Sequence, residues 1–251
     1  MELLSTRLHP KHLGAHRYRV SGVADRCDCV VLSDRVKPHF KIERRREPAE
    51  TVFLSLRYPV PALRFFLEQV APTLSAPFVL ITGSEDVTLP RQTDHRFHAF
   101  GRREHRLIRR ISKLKGLRHW FVENLDDERY RCMSPLPLGM SDPDHVGLAH
   151  YAESEPPPPL AKRNPRVLCM HRVRDGAQWQ PRRRVSELAR GPWSPFCDVV
   201  DREESREEFL GRMRQAAFVL CVEGGGLDPS PKAWEALLQG AVPIIRRSPL
   251  H

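Results

Sequence analysis

The sequence predicts an α/β protein with two Rossmann-like halves, and three observations support this fold class. From about residue 51 onward, short apolar runs typical of buried strands alternate with amphipathic runs typical of helices. The proline-rich stretch Glu153–Pro159 interrupts this alternation and predicts a stiff, extended linker. The alternation then resumes, so we expect two parallel sheets that are covered on both faces and that face a cleft.

These patterns divide the chain into four parts. Residues 1–48 are rich in His and Arg and carry one apolar run at Cys29–Leu32, so we expect an irregular N-terminal segment. The charged stretch Lys41–Glu50 is expected to be a loop or a frayed helix. Residues 49–150 form the predicted N-terminal Rossmann-like domain, 151–164 the linker and 165–251 the C-terminal Rossmann-like domain.

Each element of the first half follows from its own pattern. Apolar runs bounded by turn residues predict strands, and apolar residues at i, i+3, i+4 and i+7 predict helices. The predicted order is a strand at Thr51–Leu56, a helix at Pro61–Ala71, a strand at Phe78–Thr82, a helix at His105–Leu117, a strand at His119–Val122 and an extended piece at Leu136–Met140.

The second half repeats the same alternation. Acidic residues open one helix, where they suit the positive end of its dipole, and Gly240 is expected to end the last helix. The predicted strands are Arg166–Met170, Phe196–Val200, Ala217–Val222 and Ala241–Ile245, and the predicted helices are Arg182–Ala189, Glu203–Ala216 and Pro231–Gln239.

Composition narrows the class of protein. Hydrophobic residues make up 40% and charged residues 29% of the chain, which argues against global disorder and against a membrane channel. No apolar run of about 20 residues is present, so we expect a soluble chain without a membrane span. The net charge of +10 suits either a polyanionic partner or a solvated, arginine-rich surface. The arginine clusters are scattered and no aromatic residues interleave with them, so we expect no nucleic-acid partner.

The spacing of the six cysteines predicts neither a disulfide scaffold nor a zinc site. Cys27 and Cys29 are too close together for the usual zinc-ligand spacing. Cys169 and Cys221 lie inside apolar runs, so we expect them to be small buried side chains.

The most informative stretch is Phe218–Arg247. A buried strand ends at Glu223 and three glycines follow, so the backbone can approach a ligand closely. Asp228 and Ser230 can cap the next helix, and Lys232 adds positive charge to its first turn. This order predicts a phosphate cradle, with a simple tight turn as the alternative. The loop is neither GxGxxG nor a P-loop, which argues against a dinucleotide oxidoreductase and against an ATPase.

This stretch resembles the nucleotide-sugar half of the exostosin-like glycosyltransferases. The shared pattern is Gly-Gly-Leu-Asp, three residues, Lys-x-Trp-Glu-Ala-Leu-Leu, and then Gly-x-Val-Pro-Ile. Three earlier segments fit the same family in the expected order, so the resemblance spans Thr51 to Ile245; they are Phe78–Gly83, Trp120–Asn124 and Leu136–Met140. The resemblance implies a GT-B fold, in which the C-terminal Rossmann-like domain binds the nucleotide-sugar donor.

The resemblance also implies roles for individual residues. Glu235 would accept hydrogen bonds from the ribose hydroxyls, with an ordinary surface glutamate as the alternative. Lys232 stands where the family usually has arginine and would neutralise the diphosphate as a point charge. Asp228 would be either a ligand of a sugar hydroxyl or a helix cap. The donor would approach the backbone at three glycines, Gly224, Gly225 and Gly226.

The first loop of the second half carries further candidates. Arg172 and Arg174 follow the strand Arg166–Met170, so they open onto the expected cleft. Fixed cations there would stabilise the charge that develops on a leaving nucleoside diphosphate. Solvated surface arginines are the alternative, and the cluster Arg182, Arg183 and Arg184 is a second option for the same role.

An inverting transfer needs a group that takes the proton of the acceptor hydroxyl. Asp86 is the tentative base, because it follows the strand that ends at Gly83. The other candidates are Glu85, Asp94, His95 and Asp142, and plain surface residues are the alternative for all of them. Asp142, Asp144 and His145 could bind a metal, but GT-B enzymes generally hold the diphosphate with protein groups, so we expect no metal and no resident cofactor.

The sequence therefore predicts a transferase that moves a hexosyl or pentosyl group from a nucleoside diphosphate sugar to a hydroxyl of a glycan or glycoprotein acceptor. A catalytically degenerate nucleotide-sugar-binding module is the alternative, and a basic nucleic-acid-binding protein is a third class. The family's C-terminal half continues for at least another helix and strand, so we expect that half to be incomplete here. The location stays open between the Golgi lumen, if an anchor precedes this chain, and the cytoplasm.

Overall fold

The computed structural model describes residues 5–140, 156–227 and 230–248, and these residues form an α/β protein. They group into two compact units. The first unit contains residues 5–140 together with 226, 227 and 248, and the second contains residues 156–225 and 230–247. Each unit is built around one β-sheet.

The first unit holds a six-stranded sheet in the order β2-β1-β3-β4-β5-β6. The pair β1 and β2 is antiparallel, whereas every other neighbouring pair is parallel. The strands are β1 (Cys29–Ser33), β2 (Phe40–Arg44), β3 (Thr51–Ser55), β4 (Phe78–Gly83), β5 (Leu117–Val122) and β6 (Met133–Pro135). The α-helices are α1 (Gly22–Asp25), α2 (Pro59–Phe65) and α3 (Arg102–Ile111).

Helices cover one face of this sheet. Leu63 of α2 and Ile108 of α3 are fully buried and belong to the same core as Val52, Leu54 and Leu80 of the strands. Because burial of apolar area contributes roughly 25 cal/mol per Å², this layer is the main source of stability in the first unit.

The N-terminal segment covers the opposite face. Leu8, Ala15 and Tyr18 are buried against Leu32 of β1 and Phe53 of β3, which point away from the helices. The expectation of an irregular segment over residues 1–48 is therefore wrong, since this segment supplies two strands and one layer of core. The stretch expected to be a loop or a frayed helix contains the edge strand β2, whose alternating exposure leaves it polar in sequence.

The predicted strands of the first half are confirmed within about two residues, but three boundaries differ. The helix predicted at His105–Leu117 lies at Arg102–Ile111, because the Glu104 carboxylate accepts from the Gly101 amide at 2.8 Å and starts the helix earlier. Helix α2 begins at Pro59 and continues as a π-helical turn. The extended piece predicted at Leu136–Met140 is preceded by the actual strand β6.

The second unit holds a four-stranded, fully parallel sheet in the order β10-β9-β7-β8. Gly240 has a φ of 69° and ends the last helix, as predicted. The strands are β7 (Asn164–Cys169), β8 (Cys197–Val199), β9 (Ala216–Cys221) and β10 (Val242–Ile245). The helices are α4 (Gln180–Arg190), α5 (Arg206–Gln215) and α6 (Pro231–Leu238), so the predicted alternation is confirmed.

Helices cover both faces of this second sheet. Met213 of α5 and Ala236 of α6 share a core with Val219. Ala189 of α4 packs with Cys169 in a separate cluster on the other face. The six cysteines of the chain are free thiols, and Cys169 and Cys221 are buried as predicted.

The two sheets differ in strand order. The parallel strands of the first sheet follow chain order, with each crossover leading in the same direction. In the second sheet the chain moves from β7 to β8 on one side and then to β9 on the other, so the order reverses at β7. Such a reversal leaves a crevice beyond the carboxyl ends of the strands, where ligands of doubly wound proteins bind. Within the part of the chain that the structure describes, no helix has the length and apolar character needed to cross a bilayer.

A cationic cleft at the carboxyl edge of the second sheet

A cleft of about 930 Å³ opens at this reversal. Its walls come from the segments that follow β7 and β8, from the first turns of α4, α5 and α6, and from Arg190 at the end of α4. Apart from Arg190, these segments lie at the carboxyl edge of a parallel sheet, so their backbone amides and helix dipoles favour an anion. The lining includes Met170, His171, Arg172, Arg174, Arg182, Arg202, Glu203, Ser205, Arg206 and Lys232.

Positive charge dominates the lining of the cationic cleft. Six arginines and one lysine face three carboxylates. His171 adds no charge near neutral pH, because burial and the nearby Lys232 lower its pKa to about 4. Its ring bonds to the Ser186 hydroxyl at 2.9 Å, which fixes the ring against α4. A net positive, partly enclosed cleft attracts phosphate groups more strongly than the open surface does.

Arg182 joins the two loops on either side of the strand reversal. Its guanidinium donates to the carbonyl oxygens of Glu223 at 2.9 Å and of Arg172 at 3.2 Å. It also stacks on the ring of Trp179, with 5.1 Å between Cζ and the ring centroid. A Cβ on Gly224 would lie 2.6 Å from Arg182 Nη2, so any larger residue here would require the guanidinium to shift. Of the three arginines proposed as a second option, Arg182 lines the cleft.

Lys232 lies at the base of the cleft, in the first turn of α6. Its Nζ donates to the Met170 carbonyl, and only 8% of the residue is exposed. Burial, together with the positive charge of Arg182, lowers the pKa of Lys232 to about 8. The amine is therefore largely protonated at neutral pH but loses its proton at a slightly higher pH. An anion bound in the cleft would stabilise the protonated form.

Glu235 lies one turn further along α6 and is 6% exposed. Its Oε1 accepts from Arg206 Nη1 at 2.6 Å, and Arg206 itself lines the cleft. Glu235 is therefore not an ordinary surface glutamate, because its carboxylate is buried and paired. Arg206 carries no motif of its own, and sequence reasoning missed it. The signal that could have revealed it is the Ser205 cap, which places Arg206 at the start of a helix.

Arg172 and Arg174 both line the cleft, as expected from their position after β7. Arg172 pairs with Glu203 at 3.1 Å, and both side chains are largely exposed. Arg174 stacks on Trp179, with 5.1 Å between Cζ and the ring centroid. These arginines form the outer rim of the cleft, where their side chains can turn toward a ligand without breaking a buried contact.

The glycine loop is divided between the two compact units. Gly224 and Gly225 belong to the second unit, next to the cleft. Gly226 groups with the first unit, where its amide donates to Asp94 Oδ2 at 2.7 Å. Asp228 lies outside the described residues. Ser230 precedes α6 but makes no side-chain capping bond, so the cap predicted for it is wrong.

The predicted base, Asp86, lies at the carboxyl edge of the first sheet and is held by two guanidinium groups. It pairs with Arg7 and, at 2.6 Å, with Arg96. Burial alone would raise the pKa of Asp86, but the two arginines outweigh burial and hold the pKa far below its ordinary value. A carboxylate stabilised in this way is a weak proton acceptor.

Two of the other proposed bases, Glu85 and Asp94, are also paired with arginines. Glu85 pairs with Arg57 at 3.5 Å, and Asp94 pairs with Arg96 at 2.7 Å. His95 lies in the same unit, and Asp142, Asp144 and His145 lie outside the described residues.

Over residues 5–140, 156–227 and 230–248, no three His, Cys, Asp or Glu side chains are grouped so that they could hold a metal ion. No protein-family model and no curated protein sequence matches this chain. The function of the cleft must therefore be inferred from its own chemistry.

Proposed function

We propose that this protein is a glycosyltransferase of the exostosin-like type, with a GT-B organisation, and that its nucleoside diphosphate sugar donor binds in the cationic cleft. One observation carries the proposal. Lys232 lines the cleft, and Glu235, one turn further along the same helix, is bonded to Arg206, which also lines the cleft. A cation and a buried carboxylate at this spacing suit the two polar parts of a nucleoside diphosphate, its phosphates and its ribose hydroxyls.

The diphosphate would lie between Lys232 and the rim arginines. Lys232 and Arg182 form the inner wall, and Arg172 lies toward solvent. The amino ends of α5 and α6 add partial positive charge at the same place. As the bond to the sugar breaks, negative charge grows on the leaving phosphate, and fixed cations stabilise that charge without having to reorganise. The sugar would pass to a hydroxyl of a glycan or glycoprotein acceptor.

One observation favours the alternative, a nucleotide-sugar-binding module without turnover. The proposed base Asp86 is neutralised by Arg7 and Arg96, and Glu85 and Asp94 also pair with arginines. A module that only binds would keep the cationic cleft and need no proton acceptor. The two candidates differ in turnover, because only the transferase would release the sugar from the donor or transfer it to an acceptor.

Calorimetric titration with uridine, guanosine and adenosine diphosphates tests donor binding. We expect at least one of these to bind, and Glu235→Ala to weaken its binding by about 10- to 100-fold, since hydrogen bonds to a charged group are each worth about 1.5–3 kcal/mol. The matched control is Glu187→Ala, an exposed glutamate on α4 that pairs with Arg184 outside the cleft. Nucleotide binding that Glu235→Ala leaves unchanged would refute the site.

Turnover separates the two candidates. Release of labelled sugar from the donor, or its transfer to a mixture of glycans, supports a transferase. Tight nucleotide binding with no release above the buffer rate supports the binding module. Steeply salt-dependent binding to DNA or RNA, with no affinity for nucleotides, would replace both by the third class.

A further inference from the structure

We propose that Arg206 acts as an internal placeholder: in the free protein it occupies Glu235, and on binding it leaves this carboxylate to the ligand's hydroxyls and turns to the phosphates. This inference rests on the proposed function and names a positioning residue for the same cleft. It concerns two residues that lie 29 positions apart in the chain and meet only in the fold.

The first step is the state of Glu235. Its side chain is 8% exposed, and a buried carboxylate needs a partner when no ligand is present. Arg206 supplies that partner through Oε1. Among the described residues, no side chain or backbone donor bonds to Oε2 of Glu235. The carboxylate is thus half satisfied, because Oε1 accepts from Arg206 while Oε2 keeps its acceptor capacity.

The second step is the position of Arg206. It is the first residue of α5, where the helix dipole favours a negative group and disfavours a cation. Its side chain is 51% exposed, so it can turn through side-chain torsions alone. Phosphate oxygens entering the cleft would meet a guanidinium already positioned beside the amino end of a helix.

The third step is a contrast with a neighbouring ion pair. The side chain of Glu204 is 1% exposed, and both of its oxygens accept from Arg212 Nε at 2.7 Å. Arg202 adds a further contact to Glu204 at 2.9 Å. That cluster is saturated and holds α5 in place, whereas the single contact between Arg206 and Glu235 can be exchanged.

The exchange predicts opposite effects on two ligands. Uridine has the ribose hydroxyls without phosphates, so it must displace Arg206 to bond both oxygens of Glu235, and it offers no phosphate to which the displaced guanidinium can turn. Uridine diphosphate displaces Arg206 and then gains a phosphate contact. Removal of Arg206 should therefore raise the affinity for uridine and lower the affinity for uridine diphosphate.

Direct NMR titration of uridine and uridine diphosphate tests this exchange in the full chain. We expect Arg206→Ala to strengthen uridine binding about 5-fold and to weaken uridine diphosphate binding about 10-fold. Arg206→Lys, which keeps the positive charge but replaces the planar guanidinium with an ammonium, should move both affinities in the same directions by less. The matched control is Arg172→Ala, which should weaken uridine diphosphate binding and leave uridine unchanged.

The outcomes separate this inference from the proposed function. If Arg206→Ala or Arg206→Lys lowers the affinities for both ligands to the same extent, Arg206 only holds the Glu235 side chain in position. The placeholder role is then wrong, while donor binding in the cleft stands. If neither variant changes either affinity, Arg206 lies outside the site and the inference also fails. If the wild-type protein binds neither uridine nor any nucleoside diphosphate, the proposed function is wrong, and the placeholder role, which rests on it, is wrong as well.

Discussion

At the carboxyl edge of the first sheet, Glu123 bonds to Arg7, Thr6 and the Ser84 amide, each at 2.6 Å. At the same edge of the second sheet, Glu223 is also buried and pairs with the exposed Arg246 at 2.6 Å, but neither of its oxygens makes a hydrogen bond among the described residues. Both glutamates follow a central parallel strand. The buried carboxylate at the first edge therefore has hydrogen-bond partners within its own unit, whereas the buried carboxylate at the second edge has, within the described part of the chain, an ion pair without hydrogen bonds.

The strand order explains this difference. The first sheet has no reversal among its parallel strands, so its loops pack on one another and arginines meet carboxylates. The second sheet reverses at β7, so its loops diverge and leave the cationic cleft. A saturated ionic network holds a structure together, whereas cations around an open cleft leave positive charge that is not fully compensated. Similar sequence alternation can thus give an edge closed by ion pairs in one unit and an open cationic edge in the other.

The largest expected effect compares the two buried glutamates directly. Glu123→Ala should lower the free energy of unfolding by about 3–5 kcal/mol, because it removes one of the two carboxylates that pair with the buried Arg7 and leaves the Thr6 hydroxyl and the Ser84 amide without their acceptor. Glu223→Ala should cost less than about 1 kcal/mol, because Arg246 stays hydrated when its partner is removed. Urea unfolding of both variants measures the difference. Equal losses would abolish the distinction between the two edges.

The next effect uses Lys232 and pH. The pKa of Lys232 in the folded chain is about 8 against an ordinary 10.5, so unfolding takes up a proton between these values. Wild-type stability should therefore rise with pH across this window, by up to about 3 kcal/mol relative to Lys232→Met. Nucleotide affinity should fall across the same window as the amine loses its charge.

Denaturant unfolding and calorimetry from pH 7 to pH 11 measure these two trends. Lys162→Met, at an exposed position in the same unit, should follow the wild-type pH profile. Parallel profiles for wild type and Lys232→Met would show that Lys232 is not buried as a cation.

A third test concerns Asp86 in the first unit. Asp86→Asn should lower the free energy of unfolding at pH 7 by about 2 kcal/mol, because two arginines lose a charged acceptor. The depressed pKa means that this stability is present above the ordinary value of 3.8 and is lost as the pH falls below it. The difference from wild type should therefore shrink in acid, as unfolding curves from pH 7 to pH 2 would record.

The same variant bears on catalysis. Loss of all sugar transfer in a folded Asp86→Asn protein, with nucleotide affinity intact, would restore Asp86 as the base despite its arginines. Unchanged transfer would confine Asp86 to the ionic network.

The smallest expected effect lies at the rim of the cationic cleft. Arg172→Ala removes an exposed ion pair with Glu203, so the free energy of unfolding should change by less than about 0.5 kcal/mol. Thermal unfolding measures this change. A loss as large as that of Asp86→Asn would mean that the rim belongs to the structural framework.

The sequence by itself determined the secondary structure and the local order of the candidate site. The period of the apolar residues reports which side of each segment is buried, so most strands and helices from Thr51 to Ile245 were predictable within a few residues, whereas β6 and the carboxyl end of α3 were not. The same local logic placed Lys232 in the first turn of α6 and Arg172 after β7. It failed at β2, because an exposed edge strand has little apolar signal.

The tertiary structure alone decided which edge is open and which side chains meet. Asp86 meets an arginine 79 residues away, and Glu235 of α6 meets Arg206 of α5. Periodicity carries no information on such pairs, because strand order depends on how long crossovers pack over the sheet rather than on any one segment. For that reason two stretches with the same alternation became a saturated network in the first unit and a cationic cleft in the second.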